Sequence, residues 1–141
     1  MGLRLSLGEL TVILGPAVAR RRLMSLLNET RTRCAQEHEA TTIRLTARVA
    51  DPVDERLAAL DDAADSTAAL VLVDRLTDGL DARERLRVLI AARRLVHPER
   101  AVLVEDADPV AALAHADGAL RTDRDGAVVP EPIDDEGYLA S

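Results

Sequence analysis

Leu70-Val71-Leu72-Val73-Asp74-Arg75-Leu76-Thr77-Asp78-Gly79-Leu80-Asp81-Ala82 is the stretch on which the fold turns. Four aliphatic residues in a row, with no alternation, suit a strand covered on both faces, as in the middle of a parallel sheet. Asp74 closes that run and Gly79 marks a turn. Asp81 and Glu84 then make a D-x-x-E helix start, in which the first carboxylate accepts an orphan N–H of the first turn. The helix expected there carries Leu86, Leu89, Ile90 and Val96, and Pro98 ends it.

Outward from this block the same alternation of short apolar runs and helical stretches repeats, which is the pattern of βαβ units and a mostly parallel sheet. Upstream, Leu10-Thr11-Val12-Ile13-Leu14 reads as a second covered strand, stopped by Gly15-Pro16. Pro16 suits the first helical position, where its missing N–H would be unsatisfied anyway. On the helix that follows, Leu23, Leu26, Leu27, Thr30 and Cys34 fall on one face, and Arg20, Arg21, Asn28, Arg31 and Gln36 on the polar one. Thr42-Ile43-Arg44-Leu45-Thr46 alternates strictly, as a sheet edge does. Asp51-Pro52 then start a helix with Val53, Leu57 and Leu60 as its buried stripe, and Asp61 to Thr67 read as a loop.

Downstream, Ala101-Val102-Leu103-Val104 is a further covered strand. Asp108-Pro109 cap a short helix through Ala114, with Val110 and Leu113 inward. Gly118 to Arg121 and Ala127 to Val129 flank a turn at Asp123-Arg124-Asp125-Gly126 and read as a closing hairpin. The expected organisation is a single α/β domain over residues 1–129, followed by an acidic, mobile tail over 130–141.

Composition narrows what such a domain can do. The 141 residues carry a formal net charge of −7, which argues against an extended grip on nucleic acid or on an anionic membrane surface. No apolar run approaches the roughly 20 residues that span a bilayer, and no signal-peptide pattern precedes the first strand, so a cytoplasmic setting is expected, with any membrane association made through a partner. Phe and Trp are absent and Tyr138 is the one aromatic, so a base has no stacking platform. All 18 basic residues are Arg, which excludes any mechanism that needs a Lys. Cys34 is alone, and His38, His97 and His115 are scattered without ligand spacing, so no metal site is expected.

Three blocks, in order, resemble the ATP-binding domains of ABC-type ATPases within the P-loop NTPase superfamily. Gly8-Glu9-Leu10-Thr11-Val12-Ile13-Leu14-Gly15-Pro16 is similar to the strand and opening of their phosphate-binding loop. The Leu70–Ala82 stretch looks like their Walker B strand and D-loop, with Asp74 at the metal-ligand place and Gly79-Leu80-Asp81 at the D-loop, which acts across a dimer interface. Ala101 to Pro109, Ala116 to Leu120 and Gly126 to Val129 resemble the switch strand, its helix and the hairpin.

The chemical positions are replaced. In G-x-x-x-x-G-K-[ST], glycines let backbone N–H groups cradle phosphates, Lys reaches the outer phosphates, and the hydroxyl holds Mg²⁺. Here Gly15 keeps the first place, but Arg20, Arg21 and Arg22 stand at the other three. Arg75 replaces the catalytic Glu, and Asp106 or Ala107 stands where the switch His would be. Arg is bulkier than Lys and meets oxygens through a planar fork, so it is no simple substitute. The three arginines read either as a solvated helix face or as a residual anion site at a helix N-terminus. Between Arg22 and Leu70 there is no LSGGQ sequence and no room for the helical subdomain.

The resemblance therefore implies a three-layer P-loop-like core, lacking the helical subdomain and without a cofactor of its own, that binds protein instead of hydrolysing ATP. Its partner would be a membrane transporter subunit, an active ABC ATPase relative or a second copy. The alternative is a nucleotide-binding transporter ATPase subunit completed by another chain.

Overall fold

A computed structural model describes residues 5–29 and 41–131. In it the strands are β1 (Leu10–Leu14), β2 (Thr42–Thr46), β3 (Leu70–Asp74), β4 (Ala101–Glu105), β5 (Gly118–Thr122) and β6 (Val128–Glu131). They form one sheet in the order β2-β3-β4-β1-β5-β6, parallel throughout except for the β5–β6 hairpin. β1 and β3 lie inside it, each fully or almost fully buried, and β2 forms an edge with its two terminal threonines exposed.

The period of two along the strands sorts their side chains to two faces. Val71 and Val73, Val102 and Val104, and Leu10, Val12 and Leu14 point to one, where they meet α2 (Val53–Ala64), α3 (Ala82–Arg93) and α4 (Pro109–Leu113) through Leu60, Leu89 and Ala112. Leu70, Leu72, Leu103, Ile13 and Leu120 point to the other, against Met24 and Leu27 of α1 (Ala17–Glu29). Helices thus lie on both sides of the sheet, and the three-layer α/β architecture read from the sequence is the one observed.

The helix faces differ from the expected ones by about one residue of rotation. On α1 the buried positions are Arg20, Met24 and Leu27, whereas Leu26 is 51% exposed. Arg20, expected on the polar face, turns inward. Thr30, Cys34, Asn28, Arg31 and Gln36 of that reading have no described side-chain environment. On α3 the core takes Val88, Leu89 and Ala92, with Leu95 just beyond, so Leu86 and Ile90 face outward. That helix stops at Arg93, before Pro98. On α4 Val110 is exposed and Ala112 buried. Leucine and isoleucine stay on a solvent face here because the sheet's own side chains fill the core, and the smaller Ala92 and Ala112 let the helices approach it.

Two boundaries also move. α2 continues to Ala64, through residues read as a loop, since Leu60 and Ala63 dock on the sheet and carry the helix past its acidic stretch. β6 includes Pro130 and Glu131, two residues into the expected tail, because Glu131 receives both hydrogen bonds of the Arg121 fork at 2.9 Å. Pro130 is tolerated there because the strand lies at the sheet edge. Residues 132–141 of that tail lie outside the described residues.

Candidate functional site

The parallel register brings the carboxyl ends of β1, β3 and β4 to one edge of the sheet, with Asp74 opposite Glu105 and Val12 opposite Val104. In open α/β sheets this is the edge where ligands bind. The sequence reading names Gly15, Pro16, Arg20, Arg21, Arg22 and Asp74 as a vestigial anion site and Arg75 as an altered catalytic position; of these, Gly15 and Pro16 follow β1, Asp74 and Arg75 lie at the end of β3, and Arg20 reaches the same edge from α1.

Gly15 follows β1 with φ +116°, a conformation open to glycine and strained for other residues. A Cβ there would stand 2.2 Å from the Thr122 carbonyl oxygen, so the backbone of the turn is pressed against the end of β5. Thr122 Oγ1 donates to the Leu14 carbonyl at 2.8 Å and closes that contact. Pro16 is exposed and stands just before α1, where its carbonyl accepts the Arg20 N–H at 3.0 Å, one place earlier than the first helical position expected from the sequence.

One turn into α1, Arg20 reaches back under this loop. Its Nε donates to Oε1 of Glu105 at 2.9 Å, one terminal nitrogen donates to the Gly15 carbonyl, and the other lies 3.4 Å from the Asp106 carbonyl. Arg20 is 8% and Glu105 1% exposed. Burying a charge so far from water is costly without a partner, and each of these two side chains supplies the other's. Arg21 and Arg22, the other two members of the cluster, are exposed on the helix surface. Arg22 borders an apolar groove of about 330 Å³ with Pro16, Leu23, Leu26 and Val128. The three arginines are therefore not brought to one point.

On β3, Asp74 pairs with Arg44 of the edge strand at 3.2 Å. Burial raises its pKa above the ordinary carboxylate value; Arg44 and Arg75 pull it down less strongly, and Asp78 adds to the rise. Arg75 sits at φ +56° and pairs with Asp78 at 2.9 Å. Its Nε lies 4.0 Å from Oε2 of Glu105, and neither atom has a hydrogen-bond partner in the described structure. Arg20 and Arg75 thus flank one buried carboxylate. Asp106, 2% exposed, accepts the Thr77 hydroxyl and the Asp108 N–H, so its carboxylate is already occupied.

The Gly79-Leu80-Asp81 segment is held as a turn. Gly79 has φ +80°, and a Cβ on it would come within 2.7 Å of Val49. Asp81 caps α3 by accepting the Glu84 N–H at 2.8 Å. The loop before the turn is gripped from below by Arg56, which the sequence reading passed over. This residue of α2 is 2% exposed and donates six hydrogen bonds to the carbonyls of Arg48, Val49, Asp51, Leu76 and Asp78. Arg100 does similar work at the opposite edge, toward Ser66, Ala68 and Leu95.

Glu105 was also missed as a site residue, although a carboxylate ending a strand of buried aliphatics signals a cation somewhere else in the chain. Arg44, Arg56 and Thr77 gave no such signal.

No family model and no curated protein matches this sequence. Solved structures do. The ATP-binding cassette MJ0796 in a dimeric post-hydrolysis state with ADP and phosphate is similar with a TM-score of 0.62 and 11% identity, over 94% of this chain and 88% of that one. RNase-L inhibitor is similar with a TM-score of 0.64 and 18% identity, over 96% of this chain and 37% of that one. The archaeal ribosome recycling factor aABCE1, in complex with the ribosomal stalk protein aP1, gives 0.62 and 19%, with the same two coverages. At such identities what is shared is the fold, and this chain has the fold of an ABC-type ATP-binding domain.

Proposed function

We propose that this chain is a non-catalytic counterpart of ABC ATPases, a pseudo-ATPase that acts in the cytoplasm as an interaction or regulatory module for a membrane transporter subunit or an active ATPase of the same fold. The Arg20–Glu105 pair carries this reading. Its guanidinium bridges the Gly15 turn and the end of β4, where a bound polyphosphate would need free N–H donors. The residues present do not fit a nucleotide with its metal. Asp74 is engaged by Arg44, no hydroxyl stands at position 22, and a cation occupies position 75, where a base would have to accept a proton. A fold kept while its reactive groups are replaced is suited to presenting a surface.

The alternative, a nucleotide-binding subunit completed by another chain, has one feature in its favour, Asp81 of the D-loop-like segment, since that loop acts across a dimer interface in the family. That carboxylate is used as the cap of α3.

The test is a pair of measurements on the full chain. ATP turnover with and without Mg²⁺ should stay at background. Millimolar ATP, ADP or inorganic phosphate should leave the melting temperature unchanged, since a ligand stabilises only through preferential binding to the folded state. Stabilisation specific to ATP would favour the alternative, and turnover abolished by Asp74→Asn would overturn the proposal.

A further inference from the structure

α2 and α3 follow parallel strands on one side of the sheet, so they run parallel to each other and side by side. Each is 12 residues long. Their outer surfaces carry opposite charge at the first and last of four matched positions. On α2 the exposed stripe is Asp54, Ala58, Asp61 and Asp65; on α3 it is Arg83, Arg87, Ile90 and Arg94. Both stripes follow the i, i+4, i+7, i+11 spacing of one helix face, and both end on the C-cap residue.

Within the chain these charges are barely used. Among the described residues Arg87 and Asp54 approach to 3.9 Å, with both side chains more than half exposed, and such a pair contributes little. Arg83, Arg94, Asp61 and Asp65 have no ion-pair partner there. Leu86 and Ile90, 48% and 42% exposed, add an apolar strip to the basic helix.

We infer that this face binds a second copy of the chain. A two-fold axis parallel to the helices places α3 of each copy on α2 of the other and keeps the helices parallel. Arg83 then faces Asp54 and Arg94 faces Asp65, while Arg87 falls opposite Ala58 and Ile90 opposite Asp61. The interface is isologous, so every such pair occurs twice. A two-fold axis across the helices would instead set acid on acid and arginine on arginine, which costs energy and fixes the choice. An acidic peptide or an anionic membrane could be drawn to α3 alone, but the acidic stripe on the adjacent α2 would repel either one. Only a partner with both signs in the same order satisfies both helices, and the chain itself is one. This surface lies on the helical face, away from the carboxyl edge of the sheet, so the inference does not depend on whether a nucleotide binds there.

Sedimentation equilibrium of the full chain and two charge-reversed variants tests it. The unaltered chain should dimerise. Arg83→Glu/Arg94→Glu and Asp54→Arg/Asp65→Arg should each weaken self-association on the order of 100-fold, since every reversal acts twice. Mixed in equal amounts, the two variants should associate again, because each then offers the sign that the other lacks. Salt is a poor substitute for this test, as it screens both the local pairs and the repulsion between two chains of net charge −7. If circular dichroism shows a reversed variant to be unfolded, Arg83→Gln/Arg94→Gln should still weaken the dimer, by about tenfold. A monomeric unaltered chain, a dimer indifferent to these substitutions, or reversed variants that fail to associate on mixing would each overturn the inference.

Discussion

Nε of Arg20 lies 2.9 Å from Oε1 of Glu105, a contact between the first turn of α1 and the end of β4 across 85 residues of sequence. It joins the two layers at the edge of the sheet where the three sequence blocks converge. Removing the cation leaves a carboxylate that is 1% exposed with only the distant Arg75 near it. Arg20→Ala should therefore cost about 3 kcal/mol in urea unfolding. The double variant Arg20→Met/Glu105→Leu should recover most of that loss, because a buried ion pair replaced by apolar groups of similar volume is often neutral. A single variant as stable as the unaltered chain would show that the pair is not formed.

Arg56 should prove as important as the apolar core around it. Lys at this position has three donors on a flexible stem and cannot span the carbonyls on both loops. Arg56→Lys should cost about 3 kcal/mol, since several buried carbonyls lose a charged donor together. Amide exchange would localise the loss. The N–H groups of Asp78 and Leu80, bonded to the Arg75 and Thr77 carbonyls, should exchange faster, while those of β4 change least.

Glycines with positive φ separate strain from crowding. At Gly126, φ is +85° and nothing stands within 4 Å of an added Cβ, so Gly126→Ala should cost only about 1 kcal/mol of backbone strain. At Gly15 the same change also drives a methyl group into the Thr122 carbonyl. Gly15→Ala should cost at least about 3 kcal/mol, read as a lower urea midpoint. Equal effects at the two sites would mean that the Gly15 turn is not packed on β5.

Two aspartates should respond to pH with opposite sign. Asp117 accepts hydrogen bonds from Arg93 and from the Leu10 N–H, and the Arg93 bond holds its carboxyl below the usual carboxylate range despite partial burial. Its stabilisation is present above the unfolded value of about 3.9 and is lost as pH falls through the folded value. Asp74 is shifted upward by burial, so the folded state takes its proton first and its contribution becomes more favourable as pH falls from neutral. Asp117→Asn should lower stability at pH 7 by about 1 kcal/mol, a modest figure because the pair is partly exposed, and should flatten the acid limb. Asp74→Asn should leave stability at pH 7 unchanged or raise it, and should remove the gain seen as pH falls from neutral. Urea midpoints of both variants from neutral pH down into the acid limb below about pH 4 check the signs.

The sequence by itself determined the elements and their order. Short aliphatic runs such as Leu70 to Val73, bounded by turn signals, suit strands covered on both faces, and Asp81 with Glu84, or Asp108 with Pro109, announce helix starts through hydrogen bonds made within one turn. These are local signals, since the groups that satisfy them lie a few residues apart. The three motif-like blocks, and the arginines standing at their chemical positions, were legible for the same reason.

Only the tertiary structure decided which arginines matter. Arg20, Arg56 and Arg100 look no different in sequence from the solvated Arg21 or Arg83, because the oxygens that take them inside come from segments 20 to 86 residues away, or from several loops at once. Helix phase was lost in the same way. Leu26, Leu86 and Ile90 are as apolar as Met24 or Leu89, and a rotation of one residue suffices to exchange buried for exposed. What sets that rotation is where the sheet's side chains leave room and where Glu105 needs a cation, and neither is known until strands distant in sequence lie side by side.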